Sequence, residues 1–335
     1  MPNLPAMTHA ARRALTTVLE LTPRDRVLVV GDTSAGSCPD AFLAAARAEG
    51  CRADLFLLSE DRRPLTAAPP ELLRLLDGRD VIINAIAGRS DEVPFRLDWI
   101  RAVEARGLRM GHSPGIVDAM LEGGAVDVDY AAMRAAADAL IASFRNAVSV
   151  RITAPAGTDL TLGLAGRPFI SDTRITPEER GVNLPCGEAY ACPVETEGEG
   201  VLVVDGCFGT EGNVTAPVRI EVHGGRAGAV TCEDPVLAAR VTELLDTDAG
   251  ARTVCELGIG LNPGARLLGN MLEDEKAVRT CHVAFGDNRG MPGGRNASSM
   301  HMDYLVHRPS MTVTYADGTS AEVVRDGEPQ RPSAL

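Results

Sequence analysis

The chain has 335 residues, 45% of them hydrophobic and 24% charged, with a formal net charge of −13. This balance supplies enough apolar side chain for a buried core and excludes global disorder; the acidic surface excludes a general binder of nucleic acid or of anionic membranes. No apolar run reaches the roughly 18–20 residues that span a bilayer, and the opening MPNLPAMTHAARRAL has no signal-peptide core, so the expected setting is the cytoplasm, with no membrane partner.

In chain order, residues 7–20 place Ala11, Leu15, Val18 and Leu19 at helical spacing. Residues 26–30 (RVLVV) form a short apolar run ending in Gly31-Asp32, as a buried parallel strand would. Residues 41–48 read as a helix, 54–58 as a strand, 70–76 as a helix, 80–86 (DVIINAI) as a buried strand and 93–106 as a helix. This alternation predicts an α/β N-terminal domain, residues 1–146, built on a mainly parallel sheet covered on both faces. The segment GDTSAGSCPD after the first strand has Gly31 and Gly36 but neither the three-glycine spacing of a dinucleotide fingerprint nor a closing Lys-Ser or Lys-Thr, so a structural role is expected and no bound cofactor.

From about residue 148 the pattern changes. Strand-like runs at 148–152 (VSVRI), 159–164, 200–204, 218–222 and 229–231 are separated by Gly-rich turns, with one helix at Pro235–Leu245. Residues 310–315 and 321–324 around Asp317-Gly318 read as a β-hairpin. The expectation is a β-rich α+β C-terminal domain, residues 147–335, that binds metal and carries the catalysis, with a frayed polar tail at 327–335. The eight cysteines, Cys38, Cys51, Cys186, Cys192, Cys207, Cys232, Cys255 and Cys281, include no two-residue-spaced pair and read as small buried thiols.

The chemistry gathers in the last third. In Met300–Val306 (MHMDYLV) a strand would project His301 and Asp303 from one face, an imidazole beside a carboxylate and half of a metal site. Glu256 interrupts the apolar run 254–259, where a carboxylate is costly unless paired or bound to a cation. His282 heads the apolar run 282–285, and Glu188 sits in NLPCGEAY beside Pro and Gly. Singly these read as a capped turn, a buried ion pair or a satisfied core histidine; jointly they point to a cation.

Residues 181–307 resemble the C-terminal half of the aminopeptidase T family of thermophilic metallopeptidases. The motifs are Asn183-Leu184-Pro185-Cys186-Gly187-Glu188, Glu256-Leu257-Gly258-Ile259-Gly260 with Asn262-Pro263, and Asp274-Glu275-Lys276. They continue with His282-Val283-Ala284-Phe285-Gly286, Gly293-Gly294 and His301-Met302-Asp303. The resemblance implies metal ligation by Glu188, Glu256, His282, His301 and Asp303, with Glu188 and His282 at the catalytic centre. It also implies a pair of divalent ions, a homodimer, and cleavage of an amide or N-terminal peptide bond in a small molecule or short peptide. Carboxylate-plus-imidazole shells suit zinc, cobalt or manganese, and two such ions activate water and polarise a carbonyl. Glu275 and Glu195 are candidate proton carriers by composition.

One position departs from the family: its tyrosine seven residues after the histidine is here Arg289. Tyr190 and Tyr304 are candidates to stand in for it, and Arg289 and Arg295 are candidates to bind a substrate carboxylate through the two-pronged guanidinium. The chain also resembles the iron-dependent 2,5-dihydroxypyridine dioxygenases, which end in a Gly-Gly loop followed by His-x-Asp. That gives the alternative, a ring-cleaving dioxygenase with one Fe(II) acting on an aromatic substrate. In those enzymes the position of Glu256 is a histidine, so the carboxylate here favours hydrolysis. A third reading has the same carboxylates forming ion pairs without catalysis.

Overall fold

The computed structural model describes residues 2–177 and 179–330. Contacts divide the chain into two compact units. One comprises the chain up to Met133 with Asp172–Cys186 and Asn262–Arg266; the other comprises Arg134–Ser171, Gly187–Leu261 and the chain from Leu267 onward. The frayed-tail expectation falls largely on 331–335, outside the described residues.

The first unit is an α/β layer structure. Its five-stranded sheet has the spatial order Arg52–Leu57, Arg26–Gly31, Val81–Ile86, Arg109–Pro114, Gly181–Asn183, and every pairing is parallel. Leu28, Val30, Ile82 and Ile86 pack against Leu72, Phe95, Trp99 and Val103 from helices Pro70–Arg74 and Val93–Glu104. The intervening Val27, Val29, Val81, Ile83 and Ala85 are buried too, and by strand alternation they fill the opposite face. Both faces are covered, which is why these strands read as unbroken apolar runs. The first helix, Leu4–Thr17, begins earlier than its apolar spacing suggests, because the Asn3 side chain caps it by accepting from the Ala6 amide.

In the loop after the first strand the backbone amides are taken by the chain's own carboxylates. Asp32 accepts from Ser34, Ala35 and Ala87 amides, and Asp118 Oδ1 accepts from Ser37 N at 2.7 Å. Asp32 also meets Arg63 Nη1 at 2.5 Å, and Arg63 Nε donates to Glu92 Oε1 at 2.9 Å. All three side chains are buried.

The second unit is β-rich. An eight-stranded sheet runs in the order Arg226–Thr231, Val218–His223, Gly198–Val204, Asp159–Gly163, Ala147–Thr153, Ser310–Tyr315, Ser320–Arg325, Glu328–Pro329. A seven-stranded sheet runs Gly212–Asn213, Cys207–Phe208, His301–His307, Thr280–Gly286, Val254–Gly260, Glu188–Ala191, Ile170–Ser171. One hydrophobic core lies between them, with Val150, Leu162, Leu202 and Ile220 from the first sheet meeting Leu257, Ile259, Val283 and Val306 from the second. The hairpin turn forms at Asp317-Gly318, where Asp317 accepts from Thr319 N and Gly318 has φ +85°.

Burial alone would raise the Asp32 and Glu92 carboxyls, yet both lie below their ordinary values. Ser34, the Ala87 amide and Arg63 hold Asp32 down, and Arg63 with the Leu65 amide holds Glu92 down. Their contribution to stability is therefore complete above the ordinary carboxylate range and is lost as pH falls through the lowered values. Replacing Arg63 by Met strands two buried carboxylates and is expected to destabilise the first unit by about 3–5 kcal/mol. Urea unfolding at pH 7 followed by Trp99 fluorescence measures this; a loss below about 1 kcal/mol would mean that the pair is not the anchor of this loop.

Candidate metal centre

The four central strands of the seven-stranded sheet are antiparallel neighbours, and their register fixes which side chains share a face. Gly260 lies opposite Glu188, Gly258 opposite both Tyr190 and His282, Ala284 opposite both Glu256 and Asp303, and Gly286 opposite His301. Directly opposed residues point the same way, and the direction alternates along each strand. Glu188, Glu256, His282, His301 and Asp303 therefore stand on one face. Leu257, Ile259, Cys281, Val283, Phe285, Tyr304 and Val306 stand on the other and belong to the core.

Glu256 reaches its face through an irregularity. Val254 pairs with Phe285 but Glu256 with Ala284, so the strand carries one extra residue there. Such a bulge shifts the phase of the strand. Val254 and Leu257 both enter the core, while Glu256 between them turns to the polar side.

The side chains converge. One ligand atom from each of Glu188, Glu256 and His282 lie within 4.8 Å of one another, as do one from each of Glu256, His301 and Asp303. His282 Nε2 is 3.4 Å from Glu188 Oε2, 3.7 Å from Glu256 Oε1 and 3.9 Å from Asp303 Oδ1. His301 Nε2 is 2.9 Å from Glu256 Oε2 and 3.4 Å from Asp303 Oδ1. Glu256 thus turns one oxygen to each imidazole. The set is graded in depth: the His282 side chain is 1% exposed and that of His301 33%.

The floor under these groups is small. A Cβ at Gly258 would lie 2.1 Å from His282 Cε1 and Nε2, so the ring lies across space that only glycine leaves. Around the rim, His301 Nδ1 is 2.7 Å from the Asp287 carbonyl oxygen. That contact keeps the proton on Nδ1 and aims Nε2 at the carboxylates. Behind Glu188 lies Lys276, fully buried, with its ammonium against Glu188 Oε1 and 2.8 Å from Glu275 Oε1.

At Glu256, Asp303, His282 and His301 burial opposes charge and mutual attraction overrides it. Burial disfavours ionised Glu256, but hydrogen bonds and charge from His282 and His301 hold its carboxyl well below the usual range. Burial likewise opposes charge on Asp303, which His301 and His282 hold low. Burial works against protonating His282, yet Glu256, Glu188 and Asp303 push it up to about 10. His301 is also raised against burial, by Cys255 and Asp303. Glu275 is the exception: burial raises it further than Lys276 lowers it. Without a cation, then, the imidazoles carry the positive charge that three carboxylates demand. A divalent ion supplies that charge better, and carboxylate oxygens with imidazole nitrogens are the donors that zinc, cobalt or manganese take.

The other sequence candidates are dispersed. Tyr190 shares the polar face with Glu188, beside Gly258. Tyr304, next to Asp303, points the opposite way into the core and stacks on Phe208. Arg289 is exposed and pairs with Asp287, and Arg295 is exposed with its amide donating to Glu195 Oε1 at 2.8 Å. Glu195 also binds Arg167 and Asn288, so its oxygens secure the loop 287–300. Gly258, Asp287 and Lys276 carry no sequence signal for these roles: Gly258 and Lys276 lie within family motifs, but a lysine in MLEDEKAV has the pattern of a solvated segment.

Residues 131–328 match the model of the thermophilic metalloprotease (M29) family. This is a family of metallopeptidases, a class that acts on peptide substrates with a divalent metal. The match spans more than half of the sequence, and the chain belongs to the M29 family, as its motifs indicated. Among curated proteins none matches. Two solved structures share the fold. A 2,5-dihydroxypyridine dioxygenase from Pseudomonas putida KT2440 is 15% identical with a TM-score of 0.75, covering 99% of each chain. Wild-type AmpT from Thermus thermophilus is 20% identical with a TM-score of 0.74, covering 97% of this chain and 99% of that one. At these identities the likeness is one of fold alone. No helix among the described residues is long and apolar enough to cross a membrane.

Two outcomes follow from this geometry. Gly258→Ala places a methyl group against a buried ring with no room to swing; we expect about 1–3 kcal/mol of destabilisation together with loss of divalent-cation binding, read by thermal unfolding and by metal titration. Cation binding must also displace protons from the raised imidazoles, so affinity should rise with pH up to about 10, where His282 gives up its proton unaided. Calorimetric titration in two buffers of different ionisation enthalpy should show net proton release; proton uptake would contradict the electrostatic account.

Proposed function

We propose that the protein is a metal-dependent hydrolase that cleaves the amide or N-terminal peptide bond of a small molecule or short peptide. The observation that carries this reading is the division of Glu256 between two donor groups, with Oε1 toward His282 and Oε2 toward His301. On this reading Glu188, Glu256, His282, His301 and Asp303 would hold two divalent ions, zinc, cobalt or manganese, with Glu188 and His282 at the buried end of the cluster and His301 and Asp303 at the exposed end. Bound ions supply a Lewis acid for the carbonyl and acidify water toward neutral pH.

The chain's own residues have distinct duties. The Asp287 carbonyl orients the His301 ring. Gly258 leaves the space in which His282 lies. The partial exposure of His301 and Asp303 sets the side from which substrate enters. Tyr190, on the polar face beside Gly258, stands in for the tyrosine that Arg289 replaces. Of the two candidate proton carriers, Glu275 lies close enough to Asp303 and His282 to feel their charge, and burial raises its carboxyl; Glu195 is committed to the loop.

Iron-dependent ring cleavage calls for two imidazoles and one carboxylate. Here three carboxylates face the two imidazoles, a surplus that favours hydrolysis. Metal analysis followed by assays on aminoacyl anilides and dihydroxypyridines separates the readings. We expect two equivalents of zinc, cobalt or manganese and amide cleavage; a single oxygen-sensitive iron with ring opening would replace this reading. His301→Ala should lower kcat/KM on the order of a hundredfold or more while circular dichroism stays that of the wild type, and wild-type turnover in that variant would remove His301 from the centre.

A further inference from the structure

A lysine ammonium buried without partners would shed its proton; Lys276, whose side chain is 0% exposed, instead lies between two carboxylates. It follows the short helix Met271–Asp274. A Cβ at Gly260 would lie 2.0 Å from the Ala277 carbonyl oxygen, so the bare glycine lets the Lys276–Ala277 backbone come down onto the sheet at the position opposite Glu188. The fold thus brings this cation to the back of Glu188.

The consequence falls on the two oxygens of Glu188. Oε1 faces the Lys276 ammonium, and Oε2 lies 3.4 Å from His282 Nε2 on the side where the other donors converge. Glu275 Oε1, 2.8 Å from the same ammonium, anchors it from elsewhere. Building on the metal-dependent reading above, we infer that Lys276 is a positioning residue that restricts Glu188 to one donor oxygen. A carboxylate with both oxygens free can close on a cation in bidentate fashion, filling a coordination position that substrate would otherwise use. With Oε1 held by Lys276 that position stays open. The ammonium also places a fixed positive charge next to the inner ligand, so the site gives up cation affinity for an open coordination position.

The test is a cobalt(II) titration of the metal-free full-length protein in three forms: wild type, Lys276→Met, and Lys276→Met with Glu275→Gln. The double variant removes the carboxylate that the single one leaves uncompensated, so a folded comparison remains if the single variant does not fold. Affinity is read by competition with a chelator, and coordination number by the visible absorption per bound cobalt, which weakens as coordination number rises. We expect the single variant to bind cobalt at least about tenfold more tightly, because a cation has been removed from contact with a ligand carboxylate, and every folded variant to show weaker visible absorption as Glu188 takes up both oxygens. Unchanged or weaker affinity in the folded single variant, or an unchanged spectrum in either folded variant, overturns the role of Lys276 and leaves the metal centre standing. A wild-type protein that takes up no cobalt overturns the metal centre and this inference with it.

Discussion

A strand that is apolar on one face and acidic on the other must alternate, and the segment Val254–Gly260 does not. Val254, Leu257 and Ile259 are all core residues, and no regular two-residue period contains all three while sending Glu256 the other way. The extra residue between Val254 and Glu256 resolves the conflict by shifting the phase once. Everything at the site depends on that shift. Without it, and with Val254 still in the core, Glu256 would lie under the sheet, and the imidazoles of His282 and His301 would share only Asp303, whose Oδ1 is 3.9 and 3.4 Å from their Nε2 atoms.

Placing so much charge on a buried face needs compensation within the same unit. Three carboxylates raise two imidazoles, and each imidazole in turn holds carboxylates low. Lys276 and Glu275 extend the same alternation of charge inward, sign against sign. The outer rim is held by hydrogen bonds instead. The loop 287–300 is tied down by Asp248, which accepts from Ser298 and Ser299, and by Asn296, which donates to the Gly250 and Gly286 carbonyls. Because Asp287 in that loop orients His301, the rigidity of the loop is transmitted to the exposed end of the cluster.

The sheet of the first unit was legible because parallel strands covered on both faces leave uninterrupted apolar runs such as RVLVV and DVIINAI. The strand Arg109–Pro114 was not, since RMGHSP carries only one large apolar residue and is half-buried at three of its six positions. Helix Tyr130–Ser143 was overlooked despite its alanines, and Gly181–Asn183 is too short to signal. At the site, His301 and Asp303 were placed on one face by period alone; the same period sends Tyr304 to the other. Glu188 read as a turn residue and is in fact the first residue of a strand. Gly258 and Lys276 had no local signal, because what each does depends on a neighbour across the sheet or on a separate segment.

The depth gradient follows from what covers each donor. His282 lies within its strand, and Glu188, although it opens its own strand, has the buried Lys276 behind it. His301 opens its strand, where the ladder gives way to the loop, and its ring is correspondingly wet. The buried end of the cluster has Glu188 and His282 with the Lys276 charge behind them, while the end at His301 and Asp303 meets solvent. Glu256 turns one oxygen to each end, so the bulge that aims this side chain couples core packing to the chemistry above it.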